Sequence, residues 1–322
     1  MPERYIAGID IGGTKILSAI FNSRGRMLLS KTVPTQPEDG DDALLRRIID
    51  GVESLLRQMD CGVDSLLGVA IGCPGLIDPL SGVVNNASNL GWDYMPLSEH
   101  LRDHWPGIPI FIENDAKLAA LAEYTFGFCE QYPVFIYMTV STGIGGGIVV
   151  NGEILSGRNG GAGEFGHMTV APQGNYCGCG NRGCLEAVAS GTAIAREAKE
   201  IVASGRGAAI LQAADGRMER INARAVGQAA RDGDKDAIKI LVQAFSYVGI
   251  GVANLVNMLN PHAVVIGGGL TNLGNLCFEQ VRREVDLRTF PRLHKGLPIL
   301  PSRLGDNVGI MGCLALAKKR LI

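Results

Sequence analysis

Residues 5–33 read YIAGIDIGGTKILSAIFNSRGRMLLSKTV and decide the fold. Two short turns, GGTK and NSRG, separate three runs of apolar and β-branched residues, which predicts a three-stranded antiparallel meander. Residues 133–155, PVFIYMTVSTGIGGGIVVNGEIL, repeat the same order of strand, glycine-rich polar turn, strand, short turn and strand. The repetition indicates two related α/β halves, each of which opens with a strand hairpin.

Helices and further strands lie around these two hairpins. Apolar residues at helical spacing predict a helix over about 41–59, and LLGVAIGCPG and IPIFI are typical of strands. The second of these strands leads through END into the helix AKLAALAEYTFG. We also predict a long buried helix that stops at Pro261, a strand at AVVIGGGL and a last helix over about 306–320. The chain is therefore α/β with mixed sheets.

Composition and charge exclude several classes of protein. The chain of 322 residues is 46% hydrophobic and 19% charged, which is typical of a globular protein with room for two domains. A formal net charge of -2 and the lack of a long Lys/Arg run argue against a nucleic-acid partner. The first residues, MPERYIAGID, carry no charged and apolar leader, and the apolar runs fall short of the ~20 residues that span a bilayer. We expect a cytoplasmic protein with no membrane partner.

Three glycine-rich turns are candidates for nucleotide binding. DIGGTK at 10–15 lacks Walker A spacing, but its paired glycines expose backbone N–H groups, Thr14 adds a hydroxyl, and Asp10 can reach Mg2+ through water. STGIGGG at 141–147 offers the same groups from the second half, and VVIGGGL adds a third turn. Each turn alone also fits an ordinary Gly-Gly hairpin, whereas three together favour a nucleotide held between two halves. The candidate residues are Asp10, Gly12, Gly13, Thr14, Lys15, Ser141, Thr142, Gly143, Gly145, Gly268 and Gly269.

The tripeptide END places Asn114 and Asp115 where a strand passes into a helix. One interpretation is a helix N-cap, for which Asn and Asp are preferred residues. The other is a general base, a carboxylate at the carboxyl end of a strand that accepts a proton from a substrate hydroxyl. In phosphoryl transfer, one such carboxylate with magnesium and phosphate-binding turns would suffice. The residue pattern leaves both interpretations open.

Three cysteines lie close together in GHMTVAPQGNYCGCGNRGCLE, residues 166–186. With an upstream histidine they would give four N/S ligands, the set that tetrahedral Zn2+ prefers. A disulfide or redox pair is the alternative, which a cytoplasmic chain disfavours, and the surrounding loop residues argue against core cysteines. Four protein ligands leave no open position, so we predict structural zinc with Glu164 and Glu186 held at its edges. The candidate ligands are His167, Cys177, Cys179 and Cys184.

Seven stretches in this order resemble the ROK family of repressors, open reading frames and sugar kinases, and most closely its bacterial glucokinases. They are DIGGTK, GCPGLIDPLSGVV, SNLGW, ENDAKLAALAE, STGIGGGIVVNGEILSGRNGGAGEFGHM, CGCGNRGCLE and VVIGGGL, and they cover nearly the whole chain. The resemblance implies a two-domain, actin-like and ribonuclease H-like ATPase fold with ATP in an interdomain cleft. We assign residues 1–115 with 303–322 to a small domain, and 116–302 to a large domain that carries the zinc-binding segment.

The resemblance also implies transfer of the γ-phosphoryl group of ATP to a sugar hydroxyl, the 6-hydroxyl in glucokinases, with Asp115 as the catalytic base. The other residues that it implies at the sugar are Gly75, Asn89, Asn114, Glu164, His167 and Glu186. His167 would serve both zinc and sugar. Thr14 and Thr142 with their glycines would face the phosphates, and Gly268 and Gly269 would lie near the nucleoside. Carboxylates suit the sugar, since they accept hydrogen bonds from vicinal hydroxyls and repel a phosphorylated sugar.

The predicted function is ATP-dependent phosphorylation of a hexose, with glucose as substrate and Mg2+ and structural Zn2+ as cofactors. Cys73 and Phe165 depart from the commonest residues of the family, and Phe165 also resembles kinases for N-acetylated amino sugars. The alternatives are a kinase for N-acetylmannosamine, N-acetylglucosamine or fructose, or a sugar-sensing regulator, which is the other large branch of the family. A zinc-dependent hydrolase that uses the cysteine cluster is a third possibility, against which four protein ligands argue. We expect a homo-oligomer, a dimer or a tetramer, as in many members of the family.

Overall fold

The computed structural model describes residues 3–321, and the chain folds into two compact units. Unit 1 holds the residues up to Gln131, the segment Gly147–Gly163 and the residues from Arg303 onward. Unit 2 holds Tyr132–Gly146 and Glu164–Ser302. The grouping places 116–131 and 147–163 in unit 1, while the domain boundaries at 115/116 and 302/303 stay a prediction.

The described elements comprise groups of strands and groups of helices along the chain. The strands are β1 (Tyr5–Ile11), β2 (Lys15–Asn22), β3 (Met27–Pro34), β4 (Leu66–Cys73), β5 (Leu76–Ile77), β6 (Val84–Ala87), β7 (Trp92–Met95), β8 (Ile110–Asn114), β9 (Val134–Val140), β10 (Ile144–Val150), β11 (Glu153–Ile154), β12 (Ala263–Gly267) and β13 (Ile299–Pro301). The helices are α1 (Asp41–Gln58), α2 (Leu97–His104), α3 (Asp115–Ala122), α4 (Leu185–Ala189), α5 (Gly191–Ala203), α6 (Ala208–Ala213), α7 (Ala223–Arg231), α8 (Lys235–Leu259), α9 (Asn275–Arg288), α10 (Pro291–His294) and α11 (Val308–Leu321).

The main sheet of unit 1 has the strand order β3-β2-β1-β4-β8. β1, β2 and β3 form the predicted antiparallel meander, whereas β4 pairs in parallel with both β1 and β8. Successive residues of β1 point to opposite helical layers: Ile9 packs in the cluster that contains Ile48 of α1, and Ile6 packs in the cluster that contains Ile310 of α11. Because β1, β4 and β8 are parallel, their carboxyl ends meet at one edge of the sheet.

A small sheet of strand order β5-β6-β7 lies in unit 1 between β4 and α2 in the sequence. The indole N–H of Trp92 in β7 donates to Asp41 Oδ1 of α1 at 2.9 Å, which ties this sheet to the α1 layer. A single 3-10 turn, Ser88–Leu90, connects β6 to β7. The small sheet brings the loop after β4 and this 3-10 turn into the same unit as the carboxyl ends of β1 and β8.

In unit 2, β12 pairs in parallel with β9 and β13. The long helix α8 packs against α4, α5, α7, α9 and α10. Among the described helices, α8 alone is long and apolar enough to cross a membrane by length and composition, and 61% of its most apolar window is buried inside the structure. α8 ends at Leu259, and the left-handed C-cap Asn260 follows directly before Pro261, where the sequence predicts the stop.

The predicted α/β class with mixed sheets is confirmed. The strands and turns of the second predicted hairpin are present as β9, β10 and β11, of which β10 and β11 pair antiparallel. The helix after END is shorter than its apolar run, because α3 gives way to a π-helical turn at Glu123–Gly127. The last helix begins at Val308, after a 3-10 turn at Gly305–Asn307. The strands β5, β6, β7 and β13 were not predicted.

Candidate active site and metal centre

Asn114 and Asp115 form the junction between β8 and α3. Asn114 is the N-cap: its Oδ1 accepts hydrogen bonds from the backbone N–H groups of Ala116 at 3.0 Å and Lys117 at 3.2 Å. Its Nδ2 donates to the backbone carbonyl of Gly75 at 3.0 Å. The capping interpretation thus applies to Asn114, while Asp115 occupies the first position of the helix.

Two acidic side chains, Asp10 and Asp115, lie at the carboxyl edge of the unit 1 sheet. Burial raises the pKa of Asp115, and the hydrogen bond that Ala116 N–H donates to its Oδ1 at 2.8 Å opposes this shift. Burial also raises the pKa of Asp10 to about 6; the charge of Asp115 adds to the rise and Lys15 opposes it. Two partly buried carboxylates that repel each other favour a bound cation, and carboxylate oxygens are the ligands that Mg2+ takes.

The turn from Gly12 to Lys15 is a hairpin that a buried threonine braces. Gly12 N–H donates to the Lys15 carbonyl at 2.9 Å, which closes the hairpin. Thr35 Oγ1 donates to the Gly12 carbonyl at 2.6 Å, and Thr35 N–H donates to the Thr14 carbonyl at 3.1 Å. The side chain of Arg47 donates to the Thr35 carbonyl at 2.9 Å. Thr14 and Lys15 are exposed, so the hairpin also presents polar side chains that can contact a phosphate.

The turn at Ser141 and Thr142 in unit 2 is held by the first residues of α5. Gly191 N–H donates to the Ser141 carbonyl at 2.7 Å. Thr192 donates to the Thr142 carbonyl through both its backbone N–H, at 3.2 Å, and its hydroxyl, at 2.9 Å. The carbonyl oxygens of the turn therefore point to the helix, while the side chains of Ser141 and Thr142 are exposed.

Glu186 contacts the same turn from α4. Its Oε2 accepts the backbone N–H of Ile144 at 2.9 Å, and a Cβ at Gly143 would lie 2.5 Å from this oxygen. Glu186 lies two residues after Cys184, so it links the cysteine segment to the glycine-rich turn. The sequence predicts Glu186 as a sugar ligand held at the edge of the zinc segment, and the structure adds this bracing contact.

The third glycine-rich turn follows β12. Gly268 has φ 89°, and a Cβ there would overlap the backbone carbonyl of Val140 at the end of β9. Only glycine fits such a left-handed position in close approach to another strand. Thr271 closes the turn by donating its hydroxyl to the Gly268 carbonyl at 2.8 Å. Gly269 begins the 3-10 turn that follows, Gly269–Leu273.

The three predicted cysteine ligands and the histidine come together in unit 2, with their ligand atoms all within 4.8 Å of one another. Cys177 Sγ lies 3.6 Å from His167 Nδ1, and Cys179 Sγ lies 3.7 Å from Cys184 Sγ. Bound to one tetrahedral zinc, two thiolates would lie about 3.8 Å apart, and a thiolate and an imidazole nitrogen about 3.6 Å apart. The three cysteines form no disulfide, so their thiols fit the ion together with the His167 imidazole.

Unit 1 places the other predicted sugar ligands near Asp115 and the first turn. Gly75 has φ 98°, and a Cβ there would lie 2.6 Å from the Asn85 carbonyl, so this position requires glycine. Asn89 is exposed in the 3-10 turn between β6 and β7. A Cβ at Gly13 would lie 3.2 Å from the Asn89 Cβ, which places Asn89 beside the Gly12–Lys15 turn.

In unit 2, Glu164 directly precedes the 3-10 turn Phe165–His167, and its carbonyl accepts the backbone N–H of His167 at 3.1 Å. Gly166 lies close to the backbone of β10, because a Cβ there would overlap the Ile144 carbonyl. This contact fixes the turn that carries both Glu164 and His167 against the strand that follows the Ser141–Gly143 turn.

Sequence reasoning missed three side chains around the site. Thr35 braces the first turn, and Lys117 and Glu113 flank the Asn114–Asp115 junction. Lys117 is only 1% exposed. A lysine in the apolar run AKLAALA was the available signal, because a charged side chain on a buried helical face needs a partner. Thr35 gave no signal in the sequence.

The fold and the site define a class, the actin-like α/β proteins that bind phosphate groups. Its features here are the strand–turn–strand units in both halves, the glycine-rich turns and the carboxylate at the end of a parallel strand. The chain belongs to the ROK family, whose model matches residues 6–320.

The chain matches curated relatives and solved structures over nearly its full length. A glucokinase of Halalkalibacterium halodurans is 35% identical over 321 residues, 99% of this chain and 97% of that one. A xylose repressor of Caldicellulosiruptor bescii is 32% identical over 311 residues, 97% of this chain and 77% of the repressor. The crystal structure of a ROK family glucokinase from Streptomyces griseus in complex with glucose and AMPPNP is 32% identical, with a TM-score of 0.80, and the match covers 98% of this chain and 99% of that one.

Proposed function

We propose that the protein is a sugar kinase that transfers the γ-phosphoryl group of ATP to a hexose hydroxyl, with glucose as acceptor and glucose 6-phosphate as product. The observation that carries the proposal is the carboxylate of Asp115 at the junction of β8 and α3, on the sheet edge that also holds Asp10. Similarity to the Halalkalibacterium halodurans glucokinase and to the Streptomyces griseus enzyme that binds glucose and AMPPNP supports it.

Asp115 acts as the general base. The Ala116 N–H holds its Oδ1, and burial raises its pKa, so the carboxylate is both oriented and more basic than an exposed aspartate. It accepts the proton of the sugar hydroxyl as the hydroxyl oxygen bonds to the γ-phosphorus. The bond between this phosphorus and the bridging oxygen breaks, and ADP leaves with that electron pair.

We assign the phosphates to the two hairpin turns, with Asp10 as the water-mediated ligand of Mg2+. When bound, the ion neutralises the charge of the phosphates. The exposed hydroxyls of Thr14 and Thr142 donate to phosphate oxygens, and Lys15 adds a positive charge at the first turn. We place the remaining backbone donors at Gly12, Gly13, Ser141, Gly143 and Gly145, and the nucleoside near Gly268 and Gly269.

We assign the sugar to the ligands that the resemblance to the ROK family implies. In unit 1, Asn89, Asn114 and the backbone near Gly75 contribute to binding. In unit 2, Glu164, Glu186 and His167 accept or donate hydrogen bonds to the hydroxyls. The carboxylates disfavour a sugar that already carries a phosphate, because like charges repel.

We propose that His167, Cys177, Cys179 and Cys184 hold a structural zinc ion. The tetrahedral spacing of their ligand atoms supports this assignment, as does the lack of an open ligand position in a four-ligand set. The ion would fix the segment that carries His167 and Glu186. We further propose a cytoplasmic homo-oligomer, a dimer or a tetramer, which sedimentation equilibrium would measure.

The test is ADP release with Mg-ATP across glucose, mannose, fructose, N-acetylglucosamine and N-acetylmannosamine. We expect the highest kcat/KM with glucose and a phosphorylated 6-hydroxyl in the product. A higher kcat/KM for one of the other sugars would change the assigned substrate but leave the assigned reaction in place. No turnover on any of the five sugars would overturn the proposal.

A further inference from the structure

Lys117 is a buried cation that has no role in the proposed reaction. Its Nζ donates to the backbone carbonyl of Gly160 and lies 3.8 Å from Oε1 of Glu113, four residues earlier at the end of β8. The side chain is 1% exposed, so the ammonium group has exchanged water for these two partners. A charge is retained in such a place only when its partners are well placed, because burying it alone is strongly unfavourable.

Glu113 connects this lysine to the catalytic junction and to a loop. Its Oε1 accepts the backbone N–H of Asn114 at 2.9 Å, and its Oε2 accepts the hydroxyl of Ser156 at 3.5 Å. Burial raises the pKa of Glu113, and Lys117 is the main group that opposes this shift. The pair therefore contacts the loop at two points, Ser156 through Glu113 and Gly160 through Lys117.

A hydrogen bond joins the two ends of the loop from Ser156 to Ala162, and the loop packs against β5. Ala162 N–H donates to the Ser156 carbonyl at 3.0 Å. Gly160 has φ 74°, and a Cβ there would overlap the carbonyl oxygen of Ile77 in β5. Ile77 lies two residues after Gly75, whose carbonyl accepts the Asn114 side chain. The loop is thus confined between the start of α3 and the strand that follows Gly75.

We infer that Lys117 is a positioning residue for sugar binding: through the Gly160 carbonyl it fixes the 156–162 loop against the Gly75–Ile77 segment, next to Asn114 and Asp115. Two residues beyond this loop the chain reaches Glu164, a proposed sugar ligand. The inference rests on the proposed kinase function and adds the residue that holds its sugar-binding elements in place. Lys117 itself does not contact the sugar.

A purely structural ion pair would also place a lysine beside a glutamate, so the test must separate affinity for sugar from stability. Two adjacent glycines of the loop provide a matched pair. Gly160→Ala displaces the anchored carbonyl, because its Cβ meets Ile77. Gly161→Ala does not, because Gly161 has no left-handed φ and its Cβ would meet only the Leu76 side chain at 3.9 Å.

We expect Gly160→Ala to raise KM for glucose about ten-fold or more, since displacement of a positioning group by about 1 Å has effects of this size. KM for ATP should be unchanged, because the 12–15 turn is braced by Thr35 rather than by this loop. Gly161→Ala should match the parent protein in both constants. Equal KM values for glucose in the two variants would overturn the inference.

The lysine is tested directly with Lys117→Met, alone and combined with Glu113→Gln. The single variant leaves a buried carboxylate without its cation, so we expect a lower melting temperature and a higher KM for glucose. The double variant removes that carboxylate charge and should recover the melting temperature, whereas KM for glucose should stay high because Gly160 still lacks its anchor. Recovery of KM together with stability would show a structural role only and overturn the inference.

These outcomes are separate from failure of the proposed function. If the parent protein phosphorylates no sugar, the kinase proposal fails, whatever the variants do. If the parent turns over glucose and Gly160→Ala behaves as Gly161→Ala does, the positioning role fails and the kinase proposal stands. Should Lys117→Met not fold, the glycine pair alone decides the question.

Discussion

Asn114 and Asp115 occupy successive positions, the N-cap and the first residue of α3. The side-chain Oδ1 of Asn114 accepts two backbone N–H groups of α3, as an N-cap does. The same Ala116 N–H also donates to Oδ1 of Asp115, the next residue, at 2.8 Å, so the first turn of α3 orients this carboxylate. The cap at Asn114 and the proposed base at Asp115 thus share the first turn of α3, which fixes the carboxylate at the start of the helix.

Asp115→Asn removes the proton acceptor and keeps the shape of the side chain. We expect kcat with glucose to fall by roughly 100- to 10,000-fold, the usual contribution of a general base. The dissociation constant for glucose, measured by calorimetry, should change little because the cap on α3 and the sugar ligands are intact. A variant with near-normal kcat would show that another group accepts the proton.

Asp10→Asn should stabilise the ligand-free protein at alkaline pH while it lowers turnover. Folding raises the pKa of Asp10 from 3.8 to about 6. The folded state therefore favours the protonated carboxyl, and this stabilisation is present below pH 3.8 and is lost as pH rises through about 6. A shift of about 2 pKa units corresponds to about 3 kcal/mol. We expect the variant to unfold at higher urea concentration than the parent at about pH 8, with the gain vanishing near pH 4.

Asp78 provides a control of opposite sign. Backbone N–H groups of Ser81 and Leu80 donate to its Oδ1 at 2.8 and 3.0 Å and lower the pKa of this carboxyl. Its charge stabilises the folded state above its usual pKa, and that contribution is lost as pH falls. Asp78→Asn should therefore unfold at lower urea concentration at about pH 8. If Asp10→Asn did the same, burial and repulsion at Asp10 would not be the cause of its raised pKa.

At the scale of elements, the Gly12–Lys15 and Ser141–Gly143 turns are each held by a contact from elsewhere in their own unit. Thr35, just beyond β3, donates hydrogen bonds to two backbone carbonyls of the Gly12–Lys15 turn. The side chain of Arg47 in α1 donates to the Thr35 carbonyl. Glu186 of α4 and the start of α5 do the same for the Ser141–Gly143 turn. Flexible glycines are thereby given a fixed geometry, which preorganises the turn for its ligand.

Thr35→Val keeps the shape of the side chain and the backbone donor but removes the hydroxyl that bonds the Gly12 carbonyl. We expect KM for ATP to rise several-fold and stability to fall by about 1–2 kcal/mol, the usual effect of leaving one buried polar group unpaired. Thr35→Ser keeps the hydroxyl and loses a buried methyl, so it should lose about 1 kcal/mol with KM for ATP unchanged. If the two variants had equal KM values for ATP, the hydroxyl would have no role in shaping the turn.

These elements also show what the sequence could reveal. The hairpins, the END junction and the cysteine ligands were predicted because their signals are local: alternating apolar residues, a strand-to-helix switch, and ligands within one short segment. The braces were missed because their partners are distant in sequence. Lys117 and Gly160 are 43 residues apart, Glu186 and Ile144 are 42 apart, and Thr35 and Gly12 are 23 apart. β5, of two residues, is too short to show a period.

On the scale of the whole molecule, the core of unit 1 includes the C-terminal helix α11. Leu314 and other apolar residues of α11 pack in one cluster with Ile6 of β1 and Leu118 of α3. Glu123 anchors the segment that leads into α11, since its carboxylate accepts the backbone N–H groups of Arg303 and Leu304, both at 2.9 Å. Unit 1 therefore depends on contacts between β1 and α11, which are about 300 residues apart in the sequence, and contacts of such long range slow folding.

The cysteine and histidine cluster lies within a single segment of unit 2, so removal of the proposed zinc should loosen that segment and leave unit 1 intact. With a zinc-selective chelator, we expect the amides of residues 167–186 to lose protection from hydrogen exchange, while those of β1 and β4 keep theirs. Cys179→Ser should reproduce the effect and lose the metal, whereas Cys129→Ser, at an exposed cysteine outside the cluster, should not. Unchanged protection across 167–186 after chelation would show that these four side chains hold no ion. Loss of protection in β1 as well would show that the ion supports the whole molecule rather than one loop.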